Sequence, residues 1–312
     1  MENNFDLIQE LLRQKADFEA RLSLLAYDGT PEIKENASGK YIYIRKRVLT
    51  KVTSEYVGLF NDDLYGLVVR TTKQAKDLKK QIKGVDKELT KLGYIASSLP
   101  ERISQNLDFA RANMKANIYD QAILEGVATT FPQTETIIEN GKVSGMTATD
   151  VQKILNLKHA WEFILDKDVI LSKSDFYILS YIAKFVNEGF YDNGGRVRGV
   201  PVTIGGTTYV PPLPIESVVK ENIDLILNSK KDAIDIAIDL CLYCMKTQIF
   251  NDGNKRASVI FANHYLISKG EGLIVIPEKE VPVFKKLLVD YYEGKDEQNI
   301  KTFMKEKCWK KF

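Results

Sequence analysis

The stretch "MKTQIFNDGNKRASVIF", Met245 to Phe261, constrains the fold of this chain more than any other. "AIDLCLYCMKT" reads as an apolar helix ending near Thr247, and "KRASVIFANHYLI" as a second one beginning near Asn254. Between them "FNDGN" must turn tightly, and Gly253 permits the backbone conformation that this needs. The amides of Gly253, Asn254, Lys255 and Arg256 then sit at a helix N-terminus, without intrahelical acceptors and at the positive end of the dipole. With the Lys255 and Arg256 side chains beside them, the turn favours an anion, most naturally a di- or triphosphate. Asp252 adds the carboxylate that a phosphate-bridging Mg²⁺ needs. Phe250 is the apolar anchor of the loop. A plainer reading stands beside this one: Asn251 or Asp252 simply N-caps the second helix.

Size and charge set the context. A chain of 312 residues makes about two domains, each able to bury a core. Its 44% hydrophobic and 28% charged residues are ordinary for a globular protein. The net charge of +2 is unevenly spread. Residues 40–91 hold 13 Lys/Arg against 6 Asp/Glu, or +7, which leaves −5 for the remainder. There is no apolar run of about 18 residues to span a membrane. The start "MENNFDLIQELL" has no apolar signal core. A cytoplasmic protein is the expectation. Cys241, Cys244 and Cys308 make no disulfide framework. Cys241 and Cys244 could be half of a zinc site, but no second ligand pair follows at metal spacing, so buried helix cysteines are the better reading.

Along the chain, "FDLIQELLRQKADFEARLSLL" has helical periodicity, and the polar "YDGTPEIKENASGK" follows it as a loop. "YIYIRKRVLTKVTSEYVGLF" reads as a two-stranded ribbon. A long helix comes next, with Leu67, Val68, Leu78, Ile82, Val85, Leu89 and Leu92 as its apolar positions. Pro and Ser in "SSLPER", Ser97 to Arg102, mark the domain boundary. Helical segments dominate from there, except for "VRGVPVTIGGTTYVPPLP". Its Gly205-Gly206 joins two short β-like runs into a hairpin. The chain thus divides into a basic helix–ribbon–helix region, 1–96, and a mainly α region, 97–312.

The turn resembles the signature of the Fic (Fido) family, His-x-Phe-x-(Asp/Glu)-Gly-Asn-(Gly/Lys)-Arg. Gln248, Phe250, Asp252, Gly253, Asn254, Lys255 and Arg256 fall on those positions in register, and only Gln248 differs in type. Lys255 is as in the Doc-type branch. "GRVRGVPVTIGGTTYVPPLPIESV" is similar to the family's flap, and "QAILEGVATT" resembles its inhibitory helix at Glu125 and Gly126, with Gln121 where a hydroxyl residue is usual. "NLKHAWEFI" suits the helix that follows. These segments occur in family order, so the resemblance covers about residues 100–312. It implies a mainly α fold: a Fido-type helical bundle with a β-hairpin flap, here preceded by a small α+β N-terminal region. It also implies ATP or another nucleotide, with Mg²⁺, as cofactors. Gln248 and Arg256 would be the catalytic positions. Phe250, Gly253, Asn254, Lys255 and Arg256 would form the nucleotide cradle, and Asp252 the metal ligand. Glu125 and Gly126 would be autoinhibitory. Arg198, Val202, Ile204 and Tyr209 would form a flap where a target protein docks by edge pairing.

Two departures bear on function. In active relatives the motif His deprotonates a target hydroxyl, and glutamine cannot take a proton at neutral pH. A missing general base costs roughly 10²–10⁴ in rate. Phosphoryl transfer relies mainly on positioning, so Gln248 could still orient a hydroxyl or water. His264 lies eight residues past Arg256, about 12 Å along a helix, and His159 lies on another segment. The family's second Arg falls on Val259, which leaves Glu125 to Lys255 or the loop amides. Two functions therefore stand: a protein-modifying transferase of impaired or altered activity, or a non-catalytic nucleotide sensor or nucleic-acid-associated regulator. For the latter, Arg45, Lys46, Arg47 and Lys51 with Tyr41, Tyr43 and Tyr56, and the lysines of the long helix, offer phosphate contacts and stacking. Charge runs of this kind are more often only a solvated face, and the amphipathic helices could equally serve as a docking or homo-oligomer surface.

Overall fold

The computed structural model describes residues 2–48 and 51–312. They divide into two compact units, Met1–Ala96 and Ser97–Phe312.

In the first unit, α1 (Glu2–Ser23) and α2 (Asp62–Lys91) pack together through Leu12, Val85 and Leu89. Asn61 caps α2 by accepting from the Leu64 amide. Between the helices, β1 (Thr30–Asn36), β2 (Gly39–Val48) and β3 (Lys51–Leu59) form an antiparallel meander in the order β1-β2-β3. Ile42 and Ile44 turn inward onto Val68, with Val57 and Leu64 around them. Two expectations need correction. The ribbon has three strands, because "TPEIKEN", assigned to a polar loop, pairs with β2 from Thr30↔Arg45 to Asn36↔Gly39. As a largely exposed edge strand it is held by backbone pairing rather than by an apolar face, so its sequence lacks the alternation that marks a strand. Leu67 is 46% exposed, since the helix turns Val68 to the core instead. The turn of the ribbon at residues 49–50 lies outside the described residues.

The second unit is a bundle of α3 (Glu101–Leu124), α4 (Phe131–Ile138), α5 (Ala148–Ile164), α6 (Lys167–Ile170), α7 (Phe176–Val186), α8 (Glu216–Leu227), α9 (Ala233–Thr247) and α10 (Asn254–Lys269). It is completed by α11 (Val281–Tyr292), α12 (Glu297–Phe303) and a minimal pair of strands, β4 (Leu273–Ile274) and β5 (Trp309–Lys310). The helix starts follow capping rules: Thr130 and Gln133 form a reciprocal capping box, and Thr147, Asp166, Asp175 and Asp296 accept from first-turn amides. The centre of the bundle is α10, buried from Arg256 to Ile267 and packed against α3, α5, α7 and α9. Mainly α architecture is thus the observed class.

Asn263 and His264, buried on α10, are paired. Asn263 donates to the Val259 and Ile274 carbonyls and accepts from the Ile274 amide, which pins β4 to the helix. His264 bonds the Ser174 hydroxyl and the Val169 carbonyl. Burial pulls its pKa down to about 4. The unfolded chain protonates His264 below about pH 6.5, while the fold resists the proton until about pH 4. Stability therefore rises with pH through that window, and acidification across it is expected to remove about 3 kcal/mol. Urea midpoints at pH 7 and pH 5 check this: His264→Gln should flatten the difference, and an unchanged slope would reject the assignment.

The three cysteines are buried, and burial raises each thiol, Cys308 to about 12. No group of three or more His, Cys, Asp or Glu suited to a metal occurs among the described residues, and no described helix is long and apolar enough to cross a membrane.

Candidate functional site

Helix α9 ends at Thr247, and Gln248 leaves it in the left-handed region at φ 48°, ψ 61°. That conformation costs a non-glycine residue roughly 1 kcal/mol, so it must be held from outside. The Gln248 carbonyl accepts from Arg198 Nε at 2.5 Å, and its Nε2 donates to the Met245 carbonyl at 2.6 Å. Asn254 closes the turn. Its Oδ1 accepts from the Phe250 amide, and its Nδ2 donates to the Phe250 carbonyl and to Gln248 Oε1. Phe250 is buried beneath, as expected for an anchor. Gly253 is required twice over. Its φ is +72°, and a Cβ there would lie 2.9 Å from Asn187 Oδ1 and from Val186 Cγ2. Asn187 in turn donates to the Asp252 carbonyl, fastening the turn to the end of α7.

Gly253 is also the N-cap of α10, and no side chain caps it. The reading in which Asn251 or Asp252 merely caps the helix is thereby corrected: the Asp252 carboxylate goes to Arg256 Nη2 at 3.0 Å. The first α10 amides keep no side-chain acceptor, which is the anion-binding condition.

Arg256 is 2% exposed. Nη1 donates to the Val186 carbonyl at 2.7 Å, and Nε faces Glu125 Oε2 at 3.6 Å without a hydrogen bond. Glu125 Oε1 lies 3.6 Å from Lys255 Nζ and also makes no hydrogen bond. The Glu125 carboxylate thus sits between two cations at hydrogen-bond-deficient distance. Glu125 stands at the C-terminal end of α3, the negative end of that dipole, so its placement there is offset by the positive end of α10. Gln121 brings α3 to the site: its Nε2 donates to the Arg256 carbonyl and its Oε1 accepts from Trp161. Gly126, at φ +75°, turns the chain away immediately after Glu125. Val259 is buried beside Gln121, Leu124 and Trp161, away from the turn's cations.

A cleft of about 420 Å³ opens over this cluster, lined by Glu125, Gln248, Lys255, Ile204, Lys285 and Tyr292 among others. That volume suits a small ligand. Lys285 and Tyr292 come from α11 and escaped the sequence reading, because nothing local ties them to the motif. Burial raises the Tyr292 phenol, so it stays protonated and serves as a donor. Neither histidine reaches the cleft. His264 is spent on Ser174 and Val169, and His159 is buried and stacked on Phe185 at 4.1 Å.

The flap, residues 199–214, departs from a hairpin. Gly206 makes the expected turn at φ +84°, but the two arms form no ladder. Pro201, Pro211, Pro212 and Pro214 lack the N–H groups a ladder needs. Arg198 holds the arms instead. It is 2% exposed and donates to the carbonyls of Gln248, Val200, Pro211 and Pro212. Arg198 is therefore a buried clasp rather than part of a docking edge. Val202 and Ile204 are half-buried on the first arm. Tyr209 stacks on Tyr292 at 6.2 Å, and Thr207 donates to Glu293, so the tip rests on α11.

A helical bundle whose core helix begins in a glycine-made turn without a side-chain cap, with a flap clasped by Arg198, defines the class of fold. Residues 175–266 match the Fic/DOC family. Two solved structures of one protein agree on the fold. Fic-1 (residues 134–508) from C. elegans is 19% identical with a TM-score of 0.52, covering 78% of this chain and 73% of that one. A variant of the same Fic-1 fragment is 17% identical with a TM-score of 0.50, covering 78% and 77%. A Fic domain containing signaling protein from Bacteroides thetaiotaomicron is 16% identical with a TM-score of 0.49, covering 62% and 75%. Comparison with curated proteins finds no match.

Proposed function

We propose that residues 97–312 bind a nucleotide through its phosphates at the start of α10, as a relative of protein adenylyltransferases and phosphotransferases whose transfer step is impaired by Gln248. The observation that carries this reading is the uncapped α10 N-terminus beside Lys255, with the half-buried Glu125 carboxylate, whose Oε1 is buried without a hydrogen bond, lying where a phosphate oxygen would compete for the same cations. ATP fits the donor set: loop amides, Lys255 and, across the cleft, Lys285. Mg²⁺ fits only together with phosphate, since Asp252 is a single carboxylate and already pairs with Arg256. Bound there, Mg²⁺ neutralises phosphate charge. Gln248 supplies no proton acceptor. Its amide is tied to Met245 and Asn254, which suits it to hold a hydroxyl by hydrogen bonding. The apolar outer positions of the flap, Val200, Val210 and Leu213, are exposed and form the face for a target segment. The same locked amide supports the second reading, a nucleotide sensor without transfer.

Calorimetry with ATP and Mg²⁺ tests binding. Lys255→Ala should weaken it by about 1.5–3 kcal/mol, the range for charged hydrogen bonds. Glu125→Ala should tighten it several-fold by removing a competing carboxylate. No binding by the parent protein, or unchanged affinity in both variants, would reject the site. Transfer of label from α- or γ-labelled ATP to lysate proteins separates nucleotidyl from phosphoryl transfer, and bound nucleotide with no transfer of either label selects the sensor.

A further inference from the structure

We propose that the outer face of the β1-β2-β3 sheet is a stacking platform for single-stranded RNA. The face turned away from the Ile42–Ile44–Val68 core carries Tyr41, Tyr43 and Arg45 on β2, because successive residues of a strand alternate sides. A bulge in the β2–β3 register completes it. Ile42 pairs with Gly58, but Tyr43 pairs with Tyr56, so Val57 drops into the core and Tyr56 joins the outer face. The three rings then touch: Tyr56 lies 5.6 Å from Tyr43 and 6.2 Å from Tyr41, between centroids. Tyr56 is 56% exposed, and neighbouring Leu59 and Val52 are 59% and 63% exposed. Large apolar and aromatic side chains are seldom left open together on a sheet without a partner.

Charge selects the partner. By register, Lys34, Arg45 and Arg47 share this face with one carboxylate, Glu32. Lys34 Nζ sits 4.5 Å from the Tyr43 ring centroid and 3.6 Å from Glu32 Oε2, so the cations left for phosphate on this face are Arg45 and Arg47, both exposed. Aromatic rings flanked by cations suit unstacked bases joined by phosphates, and Tyr41 to Arg45 spans about 13 Å, room for two or three bases. A duplex hides its base faces and offers the tyrosines nothing. Ser54 Oγ donates to Glu32 Oε2 at 3.3 Å, which leaves Glu32 Oε1 as the acceptor that distinguishes the sugar. A carboxylate repels phosphate but accepts from a 2′-hydroxyl, which DNA lacks. The lysines of α2 are not part of this surface, since the platform faces away from that helix.

Fluorescence anisotropy of the full chain with labelled decauridylate is the test, with oligo(dT) and a duplex of equal length as further probes. Decauridylate should bind, with affinity falling as salt rises, and more tightly than the other two. The double variant Tyr43→Ala/Tyr56→Ala should lose at least about tenfold, and Tyr43→Phe/Tyr56→Phe should retain most of the affinity. Arg45→Glu, an exposed change that leaves the sheet's core alone, should also lose about tenfold. Absence of RNA binding by the parent at low salt would overturn the platform and favour a protein partner. Unchanged affinity in Arg45→Glu would overturn it as well, and oligo(dT) binding as tightly as RNA would overturn the assignment of the sugar.

Discussion

Gln248→His is expected to raise transfer of a nucleotide-derived group, to a target or to the protein itself, by roughly 10²–10⁴-fold. Position 248 lines the cleft with its backbone held by Arg198, so a side chain there is already positioned beside it. Histidine is also better suited than glutamine to the left-handed conformation observed, φ 48°. The Tyr292 hydroxyl and the Asn254 amide are the neighbours available to orient the imidazole, and the base it supplies would titrate near neutrality. Transfer should therefore fall below about pH 6.5, as the imidazole takes its proton. Measurement of label incorporation against pH, with nucleotide binding checked in parallel, decides the matter. A variant that binds ATP, remains folded and transfers no faster than the parent would mean that the missing base is not what limits the reaction. Adding Val259→Arg is not expected to help. That position is 2% exposed and looks onto Leu124, Trp161 and Ile276, so a guanidinium there would be buried without a partner, at a cost of several kcal/mol.

Arg198→Ala should produce the largest loss of stability outside the aliphatic core, at least about 3 kcal/mol. One guanidinium holds four carbonyls from three places in the chain: Gln248 at the turn, Val200 at the start of the flap, and Pro211 and Pro212 at its end. Removing it frees the flap and withdraws the bond that stabilises the left-handed Gln248 at once. Arg198→Lys should restore only part of the loss, because an ammonium cannot reach in several fixed directions as the planar fork does. Denaturant midpoints give the stability, and cleavage at Gly205-Gly206 by a protease reports flap opening. If the alanine variant loses less than about 1 kcal/mol and its flap resists cleavage as before, the clasp does not hold the flap.

Much of the site could be read along the chain because its demands are local. A tight reversal between two apolar helices needs a residue that tolerates positive φ, and Gly253 supplies it. Lys255 and Arg256 had to lie at the next helix start, and a carboxylate preceding that helix had to be near them. Even Glu125, 130 residues before Lys255, could be matched to one of its two cations, because Val259 is uncharged; its approach to Arg256 was not legible. The helices of both units follow from periodicity and caps, such as Asn61, Thr130 and Asp175.

What the tertiary structure alone decided are the partners of charges and of unpaired backbone. The sequence places Arg256 at the start of α10, but only the approach of α7 gives it the Val186 carbonyl and buries it, making it a brace of the turn. Arg198 reads as a flap residue, yet its cost of burial is met only where four carbonyls from separate segments converge. Lys285 and Tyr292 join the cleft because α11 folds back beneath the flap tip. A one-residue bulge sets Tyr56, and not Val57, beside Tyr43. Local backbone preference is written residue by residue and acts over a turn or two. The burial of a charge or the side of a strand depends on which distant group arrives to pair with it, and that is settled only when the helices and strands pack.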